Sequence, residues 1–210
     1  METIVLRTEK RKGEIVEIGS FCGKSTICLA QSLGRVYAVD PHKGNVGDGL
    51  TFASTFASFK KNIKFAKVAD KILPVVSTSE DAAKKWNKKI RALFIDGLHD
   101  YEHAEQDFDL WSKYVVDGGI VAVHDSFLRW CGSEKMALQK IVLSKDFYKI
   151  GVVGSITYGI KGKGNLFSKI EKKLVQTYIL FAVHLNHLRI VLMNLPELRY
   201  KFAAKYGTSQ

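Results

Sequence analysis

The sequence predicts an α/β fold, a doubly wound and mostly parallel sheet, from three observations. Short apolar runs alternate with helical stretches at the spacing of strand–helix–strand units. The first run leads directly into a glycine turn, Gly19-Ser20-Phe21-Cys22-Gly23, and five successive runs end on polar residues. In an open parallel sheet, ligands sit at the carboxyl ends of the strands, where helix N-termini also present free N–H groups.

Taken in order, Glu14-Ile-Val-Glu-Ile18 reads as a buried strand and Lys24 to Leu33 as the helix after it, ended by Gly34. Arg35 to Val39 is a second strand closing on Asp40-Pro41, and Phe52 to Phe65 is a helix. Ile72 to Val76 is a third strand, Glu80 to Trp86 a short helix, and Ala92 to Ile95 a fourth strand ending at Asp96. Ala104, Phe108, Trp111 and Val115 fall on one helical face, predicting a helix that Gly118-Gly119 stops. Ile120 to Val123 is a fifth strand ending at His124-Asp125, and Glu134 to Leu143 is another helix. Phe147 to Val153 and Ser155 to Lys161, joined at Gly154, predict an antiparallel hairpin that completes a seven-stranded sheet.

Residues 1–161 therefore form one domain and residues 162–210 a helical C-terminal extension. The extension opens with a linker at 162–166 and continues as helix from Phe167 to Tyr206, broken near Pro196. The stretch Leu174 to Leu195 contains Gln176, His184, Asn186, His187, Arg189 and Asn194, which argue against a membrane span. Tyr178, Leu185, Leu188, Leu192 and Leu195 spread apolar surface around much of its circumference, so a partner surface is expected. A homo-oligomer through these helices is the first expectation. The second is shallow contact with the inner face of a membrane, aided by Lys172, Lys173, Arg189, Arg199, Lys201 and Lys205.

Composition sets the outer limits. With 46% apolar residues in 210, the chain can bury one sizeable core. A formal charge of +11 favours an anionic partner, but the lysine pairs are scattered and not interleaved with aromatics, so nucleic acid is disfavoured. Cys22, Cys28 and Cys131 form no CxxC pair and no even set, which fits a reducing compartment. The first residues lack the apolar core of a signal peptide, and a cytoplasmic location is expected.

The strand ends carry the functional signal. Asp40 lies 21 positions after Gly19, at the tip of the second strand, where an acid can accept hydrogen bonds from both hydroxyls of an adenosine ribose. A dinucleotide fingerprint would need glycine where Phe21 stands, so NAD is disfavoured. Gly23-Lys24-Ser25 matches the end of a phosphate-binding loop, but Ile18 stands where its first glycine belongs, which disfavours an NTPase. Local roles exist too: Asp40-Pro41 and Asp96-Gly97 can be turns, His99 an exposed loop residue, and His124-Asp125 a helix cap.

With Val16 to Ser25, Phe94 to Glu102, Asp107, Gly118-Gly119 and His124-Asp125 in this order, the chain resembles the class I methyltransferases over about residues 13–160. Within them it resembles the subgroup of macrocin-type sugar O-methyltransferases and cephalosporin-hydroxylase-like proteins, with catechol O-methyltransferase more distant. The resemblance implies a Rossmann-like fold and S-adenosylmethionine as cofactor. It implies that Glu17 and the turn of Gly19, Ser20, Phe21 and Gly23, with Ser25 beyond it, cradle the methionine part. Asp40 would hold the ribose, Ser79 the adenine, and Asp96 would face both the methyl donor and a divalent metal. Asp125 would be a second metal ligand, His124 or Ser126 a third, and His99 the general base, with His103 as its alternative. Carboxylate ligands suit Mg2+, with Mn2+ serving similarly. The implied reaction is O-methylation of a hydroxyl on a sugar, glycan or glycosylated metabolite. A non-methylating adenosine-cofactor binder of the same fold is the alternative.

Overall fold

The computed structural model describes residues 11–31, 35–43 and 54–194. Strands β1 (Glu14–Ile18), β2 (Val36–Val39), β3 (Ile72–Val75), β4 (Ile90–Ile95), β5 (Val115–Val123), β6 (Phe147–Val153) and β7 (Ile156–Lys161) form one seven-stranded sheet. Its order is β3-β2-β1-β4-β5-β7-β6, with β7 inserted antiparallel between β5 and β6. Helices α1 (Lys24–Ala30), α2 (Phe56–Phe65), α3 (Ser79–Lys84), α4 (Tyr101–Trp111) and α5 (Gly132–Ala137) connect the strands, and α6 (Leu166–Asn194) follows the hairpin.

All six residues of β4 and all four of β2 are buried, the mark of strands covered on both faces. β3 is the edge strand, with Leu73 and Pro74 exposed, and an edge is where proline is tolerated within a sheet. One core layer, built around Trp111, Ile141, Met136 and Ile179, lies under α3 to α6. The other, built around Leu29, Phe59 and Ile63, lies under α1 and α2. Thr78 caps α3 by accepting from the Asp81 N–H at 3.2 Å, and Asp100 caps α4 by accepting from the His103 N–H at 3.0 Å.

The expected architecture holds, with local corrections. Helix α4 ends at Trp111; a 3-10 turn, Ser112–Tyr114, follows, and Val115 already pairs with Ile90 on β4. Gly118-Gly119 therefore lies inside β5, where the register shifts, rather than terminating a helix. The helical period placed Val115 correctly on the core side, but sheet pairing decides its conformation. The helix expected from Glu134 to Leu143 begins at Gly132 and changes at Leu138–Val142 to π-helical bonding. Leu166, expected in the linker, opens α6, and Arg35, Val76 and Ser155 fall just outside their strands. Expectations for Leu33, Gly34, Phe52 and residues beyond Asn194, including Pro196 and Tyr206, lie outside the described residues.

Among the described residues, no helix is long and apolar enough to cross a membrane.

Candidate functional site

The site is built where β1, β2, β4 and β5 end. The Gly19 N–H donates to Val39 O at 2.9 Å, and the residue has φ +87°. A Cβ at Gly19 would stand 2.1 Å from the Asp96 carbonyl oxygen, so only glycine lets the turn lie against the end of β4. Phe21, itself at φ 43° and half exposed, donates its N–H to Asp40 Oδ2 at 2.7 Å. The His42 N–H donates to Asp40 Oδ1 at 2.6 Å. Asp40 thus ties the turn to the tip of β2. Gly23, at φ 88°, takes the N-cap position of α1.

Beneath the turn lies a buried carboxyl with no cationic partner among the described residues. Glu17 is fully buried and accepts hydrogen bonds from the hydroxyls of Ser25 and Thr26. Burial pushes its carboxyl up to about 7, the two hydroxyls oppose the rise, and the negative charges of Asp96 and Asp40 add to it. Glu17 Oε1 and the Ser20 hydroxyl are buried with no hydrogen-bond partner among the described residues. A buried carboxylate with an unused oxygen is a receptor for a cationic donor such as an ammonium.

This arrangement predicts a pH dependence. The Glu17 pKa is raised on folding, so the folded state binds the proton more tightly, and stability falls as pH rises from about 4.5 to about 7. Glu17→Gln removes that penalty. It is expected to stabilise the ligand-free protein by up to roughly 3 kcal/mol at pH 8 and by little at pH 4.5. Urea denaturation at the two pH values measures this, and an equal effect at both would count against an ionised, unpaired Glu17.

Asp96 and His124 terminate β4 and β5, and the ladder holds them together. The Asp96 N–H donates to Ile18 O at 2.8 Å and the His124 N–H to Ile95 O at 2.9 Å. Asp96 Oδ1 lies 2.9 Å from His124 Nδ1, and this contact raises the imidazole pKa against the opposing effect of burial. Asp125, at φ 46°, turns its carboxylate to the same place: Oδ2 is 3.7 Å from His124 Nδ1 and 3.8 Å from His99 Nε2. Burial pushes the Asp125 carboxyl up, but Ser155, His124, Arg129 and His99 together outweigh it and leave the pKa lowered. His99 Nδ1 sits 3.3 Å from the Ser133 hydroxyl, which leaves Nε2 facing the acids. Asp96, His99 and His124 each offer one ligand atom, all within 4.8 Å of one another, as a divalent cation requires.

The structure sorts the other expected residues. Ser126 donates its hydroxyl to Val123 O at 2.6 Å and accepts from the Thr157 N–H at 2.9 Å, so it serves the β5–β7 junction. His103 contacts Asp100 at 2.8 Å on the exposed start of α4. The Ser79 hydroxyl accepts from Trp111 Nε1 at 2.9 Å. Sequence reasoning missed Arg129, whose Nε lies 3.0 Å from Asp125 Oδ1, and Cys131, whose thiol donates to Asp125 O at 2.9 Å. It also missed Ser133. Nothing in the run Phe127 to Ser133 carries a motif; only the chain turn after β5 folds it back onto Asp125 and His99.

Residues 16–126 match a family described as a methyltransferase domain. An uncharacterized protein of Acanthamoeba polyphaga mimivirus is 28% identical over 167 residues, covering 73% of this chain and 72% of that one. Among solved structures, the O-methyltransferase NovP aligns with a TM-score of 0.63 at 16% identity, covering 77% of this chain and 78% of its own. The O-methyltransferase from Bacillus cereus, in complex with SAH, aligns with a TM-score of 0.57 at 18% identity, covering 76% and 80%. The TDP-rhamnose 3'-O-methyltransferase of calicheamicin biosynthesis aligns at 0.54 and 17% identity, covering 77% of each chain. The structural likenesses show a shared fold, that of the class I methyltransferases, and the family match spans more than half of the sequence: the chain belongs to the methyltransferase-domain family.

Proposed function

We propose that this protein transfers the methyl group of S-adenosylmethionine to a hydroxyl oxygen of a sugar or glycosylated metabolite. The observation that carries the reading is the unpartnered pair beneath the glycine turn, Glu17 Oε1 and Ser20 Oγ, in line along the strand ends with Asp40 on one side and the Asp96, His99, His124 and Asp125 cluster on the other. A molecule with an ammonium at one end, a ribose at the other and a reactive centre near Asp96 fits that row. NovP and the TDP-rhamnose enzyme share the fold and carry O-methyltransferase names; the Bacillus cereus enzyme is described in complex with SAH, and rhamnose is a sugar.

The chain's residues have definable tasks in this reaction. Glu17 and Ser20 fix the amino acid end, and Asp40, oriented by two N–H groups, accepts from the ribose hydroxyls. Holding donor and acceptor in line supplies a large part of the rate. The acceptor oxygen attacks the methyl carbon, the carbon–sulfur bond breaks, and S-adenosylhomocysteine leaves as a neutral thioether. His99 Nε2 takes the hydroxyl proton, oriented by Ser133 through Nδ1. Asp96, His124 and the adjacent Asp125 would hold a divalent cation, which when bound lowers the pKa of the acceptor hydroxyl. Two imidazoles among the ligand atoms support a first-row transition-metal dication over Mg2+, with Mn2+ as the member that best tolerates carboxylates.

A second reading of His99 follows from its place in the cluster, as a third ligand in place of a base. The two differ in what His99→Ala loses. If His99 is the base, the variant loses about a hundredfold or more in rate with cation affinity kept; if it is a ligand, the variant loses cation affinity instead.

Calorimetry with S-adenosylmethionine and S-adenosylhomocysteine tests the cofactor assignment. Binding of both is expected, weakened at least tenfold by Asp40→Ala, and absence of binding to either would sink it. A screen of nucleotide sugars for S-adenosylhomocysteine release, with and without EDTA, then separates a methyltransferase from a non-methylating cofactor binder. Activity that survives both EDTA and Asp125→Ala would remove the metal from the reading.

A further inference from the structure

Helix α6 is apolar on two opposite faces, and only one of them packs against the described residues. Ile179 and Val183 are buried against the sheet, Lys172 donates to the carbonyls of Ser144 and Phe147, and Gln176 Nε2 donates to Val142 O at 3.1 Å. On the far side Leu174, Tyr178, Phe181, Leu185 and Leu188 are 47–69% exposed. Phe167 and Ile170, 75% and 54% exposed, extend the row toward the helix start.

From Leu174 onward these residues step by four, three, four and three. Their mean period is about 3.5, that of a coiled-coil seam, and on a helical wheel they fall within about 40° of Leu174. Leu166, Leu180 and Val191, 38–75% exposed on one flank of this row, give the seam an apolar shoulder. Its margins hold Thr177 and His184 on one side and Glu171 and Arg189 on the other, while Lys169, Lys172 and Lys173 sit on the sheet-facing half of the wheel. The seven side chains form a contiguous apolar row 47–75% exposed, the kind of surface that a partner covers.

We propose that this seam is a homodimer interface, with α6 packed antiparallel against α6 of a second copy about a two-fold axis near Phe181. That register sets Leu174 opposite Leu188 of the partner subunit and Tyr178 opposite Leu185 of the partner subunit. It also brings Glu171, held by Lys149 at 2.8 Å, toward Arg189 of the partner subunit, so that opposite charges meet at both ends.

Sedimentation equilibrium of the full chain tests the proposal. The expected mass is about 47 kDa, twice 23.6 kDa, at micromolar concentration. The double variant Phe181→Glu, Leu185→Glu is expected to sediment as monomer with an unchanged circular-dichroism spectrum, because both residues lie outside the domain core. A wild type that stays at 23.6 kDa up to 100 µM overturns the proposal, as does a double variant that stays dimeric. Flotation of monomeric wild type with phosphatidylserine vesicles would assign the seam to a membrane instead. Mixed Leu174→Cys and Leu188→Cys chains are expected to cross-link to each other more than each does alone; preferential self-linking would overturn the antiparallel register.

Discussion

Asp96→Asn is expected to lower kcat/KM for methyl transfer by about a thousandfold, near 4 kcal/mol of transition-state stabilisation, while leaving the fold intact. The fold is spared because Asp96 is tied into the sheet through its backbone, whose N–H donates to Ile18 O, and asparagine keeps that bond and the side-chain volume. The chemistry is not spared. The carboxylate is the partner that holds His124 at a raised pKa, and it stands within ligand distance of both His99 and His124. Without its charge the imidazole of His124 returns toward its ordinary pKa, and the cluster loses an anionic donor for a cation. Two measurements check this: the rate with an acceptor from the nucleotide-sugar screen, and NMR titration of the His124 ring. A loss smaller than tenfold, with the His124 pKa unmoved, would remove Asp96 from the centre of the site.

Gly19→Ala is expected to cost about 3–5 kcal/mol of stability and to abolish cofactor binding. The added Cβ would lie 2.1 Å from Asp96 O and 2.5 Å from its carbonyl carbon, both backbone atoms that cannot turn aside. The backbone at φ +87° adds strain of its own. Relief requires β1 and β4 to part where they end, which moves Asp96 as well as the turn. Urea denaturation gives the stability change and calorimetry with S-adenosylhomocysteine the binding. A variant destabilised by less than about 1 kcal/mol would mean that the turn has room the geometry does not show.

The sequence was most legible where one physical rule acts alone. Alternation of buried runs and helices, each run bounded by glycine or a polar cluster, places six of the seven strands to within two residues and the last part of β5, because strand burial is a local pattern. The failures sit where tertiary contacts override local preference. Val115 continues a helical stripe yet pairs with Ile90, and Gly118-Gly119 reads as a stop yet forms an irregular part of β5. The helix at Leu138–Val142 widens to π-bonding without a sequence cue.

The same division runs through the site. Glu17, Gly19, Asp40, Asp96, His99, His124 and Asp125 could be named from sequence because parallel strands deliver their ends to one edge, so position along the chain already implies proximity. Which of them face each other could not. Asp96 meets His124 because β4 and β5 are neighbours in register, Ile95 against Val123, a pairing absent from the linear order. Arg129 reaches Asp125 because the backbone reverses at three left-handed residues, Asp125, Leu128 and Trp130, none of them glycine. In α6 the sequence shows an excess of apolar surface, but only the packed helix separates the face spent on the sheet from the seam left open. By itself, then, the sequence determined the order of elements, the edge of the sheet that bears the chemistry and the kind of residues there, because these follow from period and spacing. Tertiary structure alone decided the buried, unpaired state of Glu17, the contacts that set the protonation of His124 and Asp125, and the direction in which α6 turns its second apolar face, because burial and charge pairing depend on residues distant in the chain.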